Sequence, residues 1–415
     1  MRRVILTIGL LILLFNFANL SFAATTQVDA LIEKLVEKGI LDRQEAIALK
    51  AEVIEDEKVV RQEALKESLP KWIQNTKLKG DFRLRYQYEK RNGDVTARNR
   101  ARYRYRLGII SKIVDPIEVG FGLASGGDDP RSTNQTFQDT FSSKSVRIDY
   151  AYAAWMPIKY ATIIGGKMQN PIYTTSDLLW DGDITPEGVA GKVNYPVLPD
   201  LNLFMNTGFF VIDEISGRSS DPVMFMVQPG FDWKITENVN WKTALASYIF
   251  ANVKGHTLDW SAGTNTRRNG TLKYDYYPLT LSTKLGISNP LDDMNIPYID
   301  IPYLGGFAEF VVNPAVDNGN FGFLCGGQLG HAKVSKKGQW AVKGLYRYLQ
   351  RDAWLDTFPD SDAYSGSTDI HGPEVIAEYA LLDNWILAFD YYWTERLSNP
   401  GHPENLFQVD LNYKF

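Results

Sequence analysis

Two neighbouring stretches of this chain alternate with period two, and in both of them one of the alternating sets is arginine. Over 78–89 the even positions are Leu78, Gly80, Phe82, Leu84, Tyr86 and Tyr88, while the odd ones include Asp81, Arg83, Arg85 and Gln87. Over 98–110 the phase flips: Ala101, Tyr103, Tyr105, Leu107 and Ile109 share a face opposite Arg98, Arg100, Arg102, Arg104 and Arg106. Successive side chains of a strand leave opposite faces, so each stretch reads as a β-strand with one apolar and one charged side. Similar segments recur after Trp72, about sixteen in all, and the fold depends on which solvent meets which face.

The connections between segments are of two kinds. Short turns are expected at 114–116, 156–159, 236–238, 335–338 and 382–384, and long polar loops at 125–144, 167–187, 252–272 and 350–371. Alternating short and long connections place the two kinds at opposite ends of an up-and-down sheet. The stretch 288–302, rich in proline and on the short-turn side, is longer than that rule expects.

If such a sheet closes in a membrane with the arginine face outward, each arginine at mid-bilayer costs about 2–4 kcal/mol, and several together exceed the stability of a typical fold. The arginines must then face an aqueous lumen, where water and carboxylates solvate them. A secreted β-sandwich or propeller, with water outside and a dry core, carries the same alternation. Against that stands the last segment, where Phe407, Val409, Leu411, Tyr413 and Phe415 alternate with Gln408, Asp410, Asn412 and Lys414. The chain stops on an aromatic residue of an amphipathic strand, which resembles the signal read by the bacterial barrel-assembly machinery. Trp72, Tyr160, Trp233, Trp241, Trp340, Trp385 and Trp393 near strand ends fit aromatic girdles at two membrane interfaces. The expected fold is therefore all-β: a transmembrane antiparallel up-and-down barrel of about sixteen strands.

Ahead of the strands the pattern changes. Arg2 and Arg3 precede the apolar run 4–15, and Ser21, Phe22 and Ala23 supply a cleavage pattern, so 1–23 reads as a signal peptide. An uncleaved membrane anchor is the competing reading. Over 24–71 the periodicity is helical: Leu31, Ile32, Leu35 and Val36 lead to a stop at Gly39, Asp42 and Glu45 match a capping box, and Pro70 ends the run. This predicts a helical hairpin or coiled-coil-like stub, either packing and oligomerising or serving as a solvated spacer. The barrel is assigned to 72–415.

Composition excludes several classes. With 415 residues, a net charge of −5 and 44% hydrophobic residues, the chain suits one large body and offers no basic excess for nucleic acid. Cys325 is the single cysteine, and His256, His331, His371 and His402 form no metal-ligand spacing. Asp181-Gly182-Asp183 lacks the remaining ligands of a calcium loop. Gly120-Phe121-Gly122 with Gly126 has no helix after it and suits tight packing in a strand. No catalytic triad stands out in chain order, and no cofactor or metal is expected.

The segments 166–171 (Gly-Lys-Met-Gln-Asn-Pro) and 180–188 (Trp-Asp-Gly-Asp-Ile-Thr-Pro-Glu-Gly), with Asp149-Tyr150-Ala151-Tyr152 on the strand before them, resemble the putative porin family of Gram-negative outer-membrane proteins. The resemblance covers nearly the whole mature chain. It implies a passive channel for small hydrophilic solutes or ions, without enzyme activity, in the outer membrane and in contact with its lipid, with the helical segment in the periplasm. Trimers are usual among porins of this size. The loop 167–187 follows the fifth strand, and in porins generally the loop at that place folds into the lumen. The resemblance thus makes Asp177, Asp181, Asp183 and Glu187 a constriction set, facing Arg83, Arg85, Arg100, Arg102, Arg104 and Arg106, with Arg147 and Asp149 also lining the pore. Opposed charges would set a transverse field that favours dipolar solutes. Two alternatives stay open: arginines sealed by carboxylates such as Asp81 and Asp149 in a plugged barrel, and an anchor whose helical segment grips the cell wall.

Overall fold

The computed structural model describes residues 29–53, 69–93, 96–217, 220–291 and 301–415. The expected signal peptide, and the helical stretch expected beyond residue 53 as far as 68, lie outside the described residues. Two compact units divide the chain after Gln74.

In the first unit, residues 29–37 and 43–53 are helical. Gly39 takes φ +66°, the left-handed conformation that ends a helix, and Ile40 N donates to Leu35 O at 3.0 Å. The second helix starts with a reciprocal capping box: the Gln44 and Glu45 amides both donate to Asp42 Oδ1 at 2.7 Å, and Asp42 N donates to Glu45 Oε2 at 3.0 Å. Ile32 and Ala46 are buried, while Leu31, Ile40 and Ile47 stay exposed. A short helix, Lys71–Gln74, precedes the second unit.

The second unit is a closed barrel of sixteen antiparallel strands. In chain order they are β1 Thr76–Arg91, β2 Arg98–Val114, β3 Ile117–Ala124, β5 Arg147–Ile158, β6 Ala161–Lys167, β7 Glu187–Leu198, β8 Leu201–Val211, β9 Val223–Lys234, β10 Val239–Ala251, β13 Leu279–Ser288, β14 Tyr303–Val312, β15 Phe321–Gly330, β16 Trp340–Leu349, β17 Ile370–Leu382, β18 Trp385–Arg396 and β19 Glu404–Lys414. Three two-residue pieces sit in connections: β4 Gln135–Thr136 against β2, and the pair β11 Arg267–Arg268 and β12 Thr271–Leu272. Each barrel strand pairs with its neighbour in sequence, and β19 pairs with β1, so the sheet has no free edge.

Closure is secured at the very end of the chain. Gly80 N donates to Phe415 O at 2.9 Å and Phe415 N returns the bond to Gly80 O at 3.0 Å. A Cβ on Gly80 would lie 2.4 Å from the Phe415 ring, so only glycine lets that ring rest on β1. Gly120 and Gly122 likewise lie in β3 beneath the rings of Tyr152 and Tyr150, which is the tight packing the sequence suggested.

The faces are inverted relative to a soluble protein. Along β1, Asp81, Arg83, Arg85 and Gln87 are buried and Leu84 and Tyr86 are exposed; large apolar side chains such as Ile109, Phe121, Trp155, Phe225, Leu245, Val375 and Phe389 are likewise outside. In water such a surface would be strongly unfavourable, whereas lipid accepts it. Trp233 and Trp385 stand exposed at strand ends near the short turns, with Trp385 packed 5.0 Å from Tyr413. The fifth barrel strand, β6, leads into residues 168–186, the third connection at the long-loop end.

Candidate functional site

The arginine ladder of β1 and β2 lines the inside of the wall, and carboxylates meet it at close range. Arg85 Nε and Nη2 donate to the two oxygens of Asp410 at 2.7 and 2.8 Å, and its Nη1 reaches Asp362 at 2.9 Å. Arg83 Nη2 donates to Asn134 Oδ1 at 2.5 Å, and its Nη1 lies 3.5 Å from Asp410. Arg104 and Arg106 share Asp81, at 2.9 and 2.7 Å. Arg100 donates to Glu89 at 2.7 Å. Asp81, Arg83 and Arg85 share a face because they alternate along β1, and the register sets Arg83 opposite Arg104 and Asp81 opposite Arg106.

Residues 168–186 enter the barrel and are pinned to side chains of its wall at four places. At β9, Gln228 accepts from Tyr173 N at 2.8 Å and donates to Tyr173 O at 2.9 Å. At β14, Glu309 Oε1 accepts from Ser176 N at 3.0 Å, from Thr175 Oγ1 at 3.2 Å and also from Thr175 N. At β16, Arg347 Nη2 lies 3.4 Å from Asp177. At β2, Asp183 Oδ1 is 3.1 Å from Arg106 and 3.7 Å from Arg104, while its Oδ2 accepts from Thr133 N and Oγ1 at 2.9 Å. Backbone donors in a loop need acceptors once buried, and the wall side chains supply them.

The candidate residues thus divide. Asp183 is the one acid of the loop that touches the arginines. Asp181 instead staples the loop interior, accepting from Asp183 N at 2.9 Å and Ser361 N at 2.8 Å. Asp177 faces Arg347 on the far wall, and Glu187 is the exposed first residue of β7, 3.0 Å from Lys167 Nζ. Arg147 stands exposed at the long-loop end of β5, paired to Asp128. Asp149 is half-buried, and its carbonyl accepts the Thr185 hydroxyl at 2.8 Å, tying the end of the loop to β5.

A second long loop, expected at 350–371, also turns inward over 350–369, a course that sequence reasoning missed. It buries Ala353, Trp354 and Leu355, and joins the first loop through Asp181 N donating to Phe358 O at 2.7 Å. The Trp180 ring lies 5.6 Å from Trp354 and 4.7 Å from Phe358, and Trp354 lies 5.0 Å from Tyr248. Leu178, Leu179, Trp180 and Ile184 of the first loop thereby join an apolar cluster with inward residues of β7–β10 and β14–β19. No residue of β1, β2 or β3 belongs to that cluster. Apolar packing fills much of the interior, while the inward faces of β1 and β2 carry the arginines. The signal in the sequence was composition: 350–369 carries five aspartates together with Trp354, Leu355 and Phe358, too apolar for a loop spent in water.

Electrostatics follow this division. Burial alone would raise the Asp183 carboxyl, yet Arg104 and Arg106 hold it below the usual carboxylate range. Asp181, buried beside the Asp183 charge, is pushed up to about 8. Asp362 is held low by Arg85 despite burial, and Asp360 is raised well above normal by burial and by Asp177. Oxygens of Asp177, Asp360 and Glu374 lie within 4.8 Å of one another, a spacing that could hold a metal ion. Arg347 already reaches all three, at 3.4 Å, 3.1 Å and in a close pair with Glu374, so a guanidinium fills the cation's role there. The oxygens of Asp181 and Asp183 are likewise committed to protein donors, which argues against the calcium reading.

The model of the family described as putative porin matches residues 91–284 and 304–415. Among solved structures, the fold is similar to OprB of Pseudomonas putida at high pH, with 13% identity, TM-score 0.55, and coverage of 82% of this chain and 94% of that one. It is also similar to Salmonella typhi OmpF in complex with daunomycin, with 10% identity, TM-score 0.50, and coverage of 82% and 97%. No curated protein sequence matches.

Proposed function

Since the chain belongs to the putative porin family of outer-membrane channels, we propose that it is a water-filled passive pore for small hydrophilic solutes or ions, narrowed by residues 168–186 beside an arginine-lined wall. The observation that carries this reading is the uneven lumen: the apolar cluster of the inward loops draws buried residues from β7–β10 and β14–β19 and none from β1–β3, while inward guanidiniums line β1 and β2. Charge kept along one wall solvates hydrophilic solutes and disfavours apolar ones. The ladder is only partly neutralised, since Arg102 meets neutral groups and Arg98 has no ion pair among the described residues, where the other arginines meet carboxylates.

In this reading the acid of the loop and the base of the wall make contact at Asp183 and Arg106, and the dipolar edge of the aperture is built from that pair. The helical segment is read as periplasmic, since it precedes the short-turn end where β1 begins. Its exposed Leu31, Ile40 and Ile47 favour contact with another chain or with the cell wall.

Reconstitution of the full mature protein in a planar bilayer tests the proposal. Discrete conductance steps are expected in potassium chloride. Silence from protein that is folded by heat-modifiable gel migration would favour an anchoring role.

A further inference from the structure

Above the Asp81–Arg106 level, at the long-loop end, the arginine wall borders a cavity of about 230 Å³ walled by β1, β2 and β19 and by residues 129–132 and 361–365. Several waters fit, at about 30 Å³ each. Every carboxylate lining it is already taken by an arginine: Glu89 by Arg100 at 2.7 Å, Asp129 by Arg131 at 3.1 Å, Asp362 by Arg85 at 2.9 Å and Glu404 by Arg91 at 2.5 Å. Two lining arginines are left over. Arg102 donates only to neutral oxygens, Gln87 Oε1 at 3.2 Å and Ser132 Oγ at 3.3 Å, and Arg98 has no carboxylate partner among the described residues.

An independent observation points the same way. Arg100 Nε, Arg102 Nε and Arg131 Nη1, all on residues lining this cavity, are buried N–H groups with no acceptor among the described residues. Buried donors without acceptors cost about 1–3 kcal/mol each, so the guanidiniums around the cavity are incompletely satisfied by the chain's own acceptors. Hydroxyls complete the lining: Ser365 Oγ accepts from Arg91 at 2.6 Å, and Ser132 Oγ accepts from Arg102. Each hydroxyl hydrogen remains available to donate.

We infer that this cavity is a binding station for a small oxyanion, a phosphate or carboxylate group, held by Arg102 and Arg98 and by the Ser132 and Ser365 hydroxyls at the long-loop end of the pore. The inference rests on the channel reading for its role in passage, but the site itself does not depend on conduction. Planar, forked guanidinium donors match oxyanion geometry, and two guanidiniums without a carboxylate of their own attract an anion.

The test uses the full mature protein in detergent micelles. Inorganic phosphate, and separately acetate, is titrated and binding is read by line broadening of the anion's own nuclear magnetic resonance signal. Saturable broadening is expected in the wild type, with the half-saturating concentration at least tenfold higher in Arg102→Gln and Arg98→Gln. The Arg98 side chain has no bonded partner among the described residues, so its variant is expected to fold even if Arg102→Gln does not. Lys254→Gln, which removes an exposed loop cation paired to Asp275, should bind as wild type does. Saturation by phosphate alone assigns a tetrahedral oxyanion, and saturation by acetate alone a carboxylate. Broadening linear in concentration, or equal weakening by Lys254→Gln, overturns the station. In parallel bilayer recordings, binding without conductance would overturn the channel and keep the site, and conductance without binding would do the reverse.

Discussion

Glu309 is the strongest single determinant of where the inward loop sits, and Glu309→Ala tests that claim. The side chain is fully buried on β14, and one of its oxygens accepts from the amides of Thr175 and Ser176 and from the Thr175 hydroxyl. Removing the acceptor strands two backbone donors at about 1–3 kcal/mol each; lumen water can resolvate part of this, so the lower bound of about 2 kcal/mol is the working figure. That corresponds to about thirtyfold more frequent local opening. The loop is not lost, because Leu178, Leu179 and Trp180 remain buried, each worth about 1.5–3 kcal/mol. Hydrogen exchange followed by mass spectrometry should show protection of a peptide spanning 173–177 falling about thirtyfold, with barrel peptides unchanged. Glu309→Gln keeps a carbonyl acceptor in the same place and should lose far less. Wild-type protection in Glu309→Ala would show that the apolar packing alone positions the loop, and the pinning argument would fail.

Three further outcomes are expected. Replacing Arg102 and Arg104 together with Glu reverses two inward charges and should move the zero-current potential in a salt gradient toward cation preference; an unchanged potential would place both off the conduction path. Deleting Phe415 removes its two backbone bonds to Gly80 and the ring on β1, and should reduce assembled barrel at the outer membrane severalfold, as read by heat-modifiable migration; wild-type levels would count against a targeting role. Because the Asp183 carboxyl is depressed in the fold, its contribution is complete above the unfolded value of about 3.9 and disappears as pH falls below it. Loop protection in the wild type should therefore drop below about pH 4, a limb that Asp183→Asn should lack.

The barrel was legible because lipid and water impose opposite demands on alternate residues. Arg83, Arg85, Arg102 and Arg104 could face only one way once the apolar partners Leu84, Tyr86 and Tyr105 were placed in lipid, and sixteen strands followed from the spacing of turns. The capping box at Asp42 and Glu45 was equally plain, since its geometry is local. The interior was not. Asp181 and Asp183 are two residues apart, yet one contacts guanidiniums and the other is folded inside the loop, a difference set by Thr133, Ser361 and Phe358 from elsewhere in the chain. Glu309 and Arg347 lie on strands without any local motif, and become pins only when a loop 130 or more residues earlier reaches them. The inward course of 350–369 rests on contacts of the same long range. Arg147 and Glu187 alternate correctly but sit at the exposed strand ends, where alternation no longer reports the lumen.

The four tethers of residues 168–186 have a mechanical consequence. A thin hollow tube resists stretching along its wall much better than it resists flattening, and lateral pressure from surrounding acyl chains loads it in the weak direction. Struts running from β9, β14 and β16 on one side to β2 on the other oppose that flattening, much as spokes keep a rim round. The segment thus braces the cross-section, and on the channel reading bore and roundness become properties of one strut that change together when it is cut.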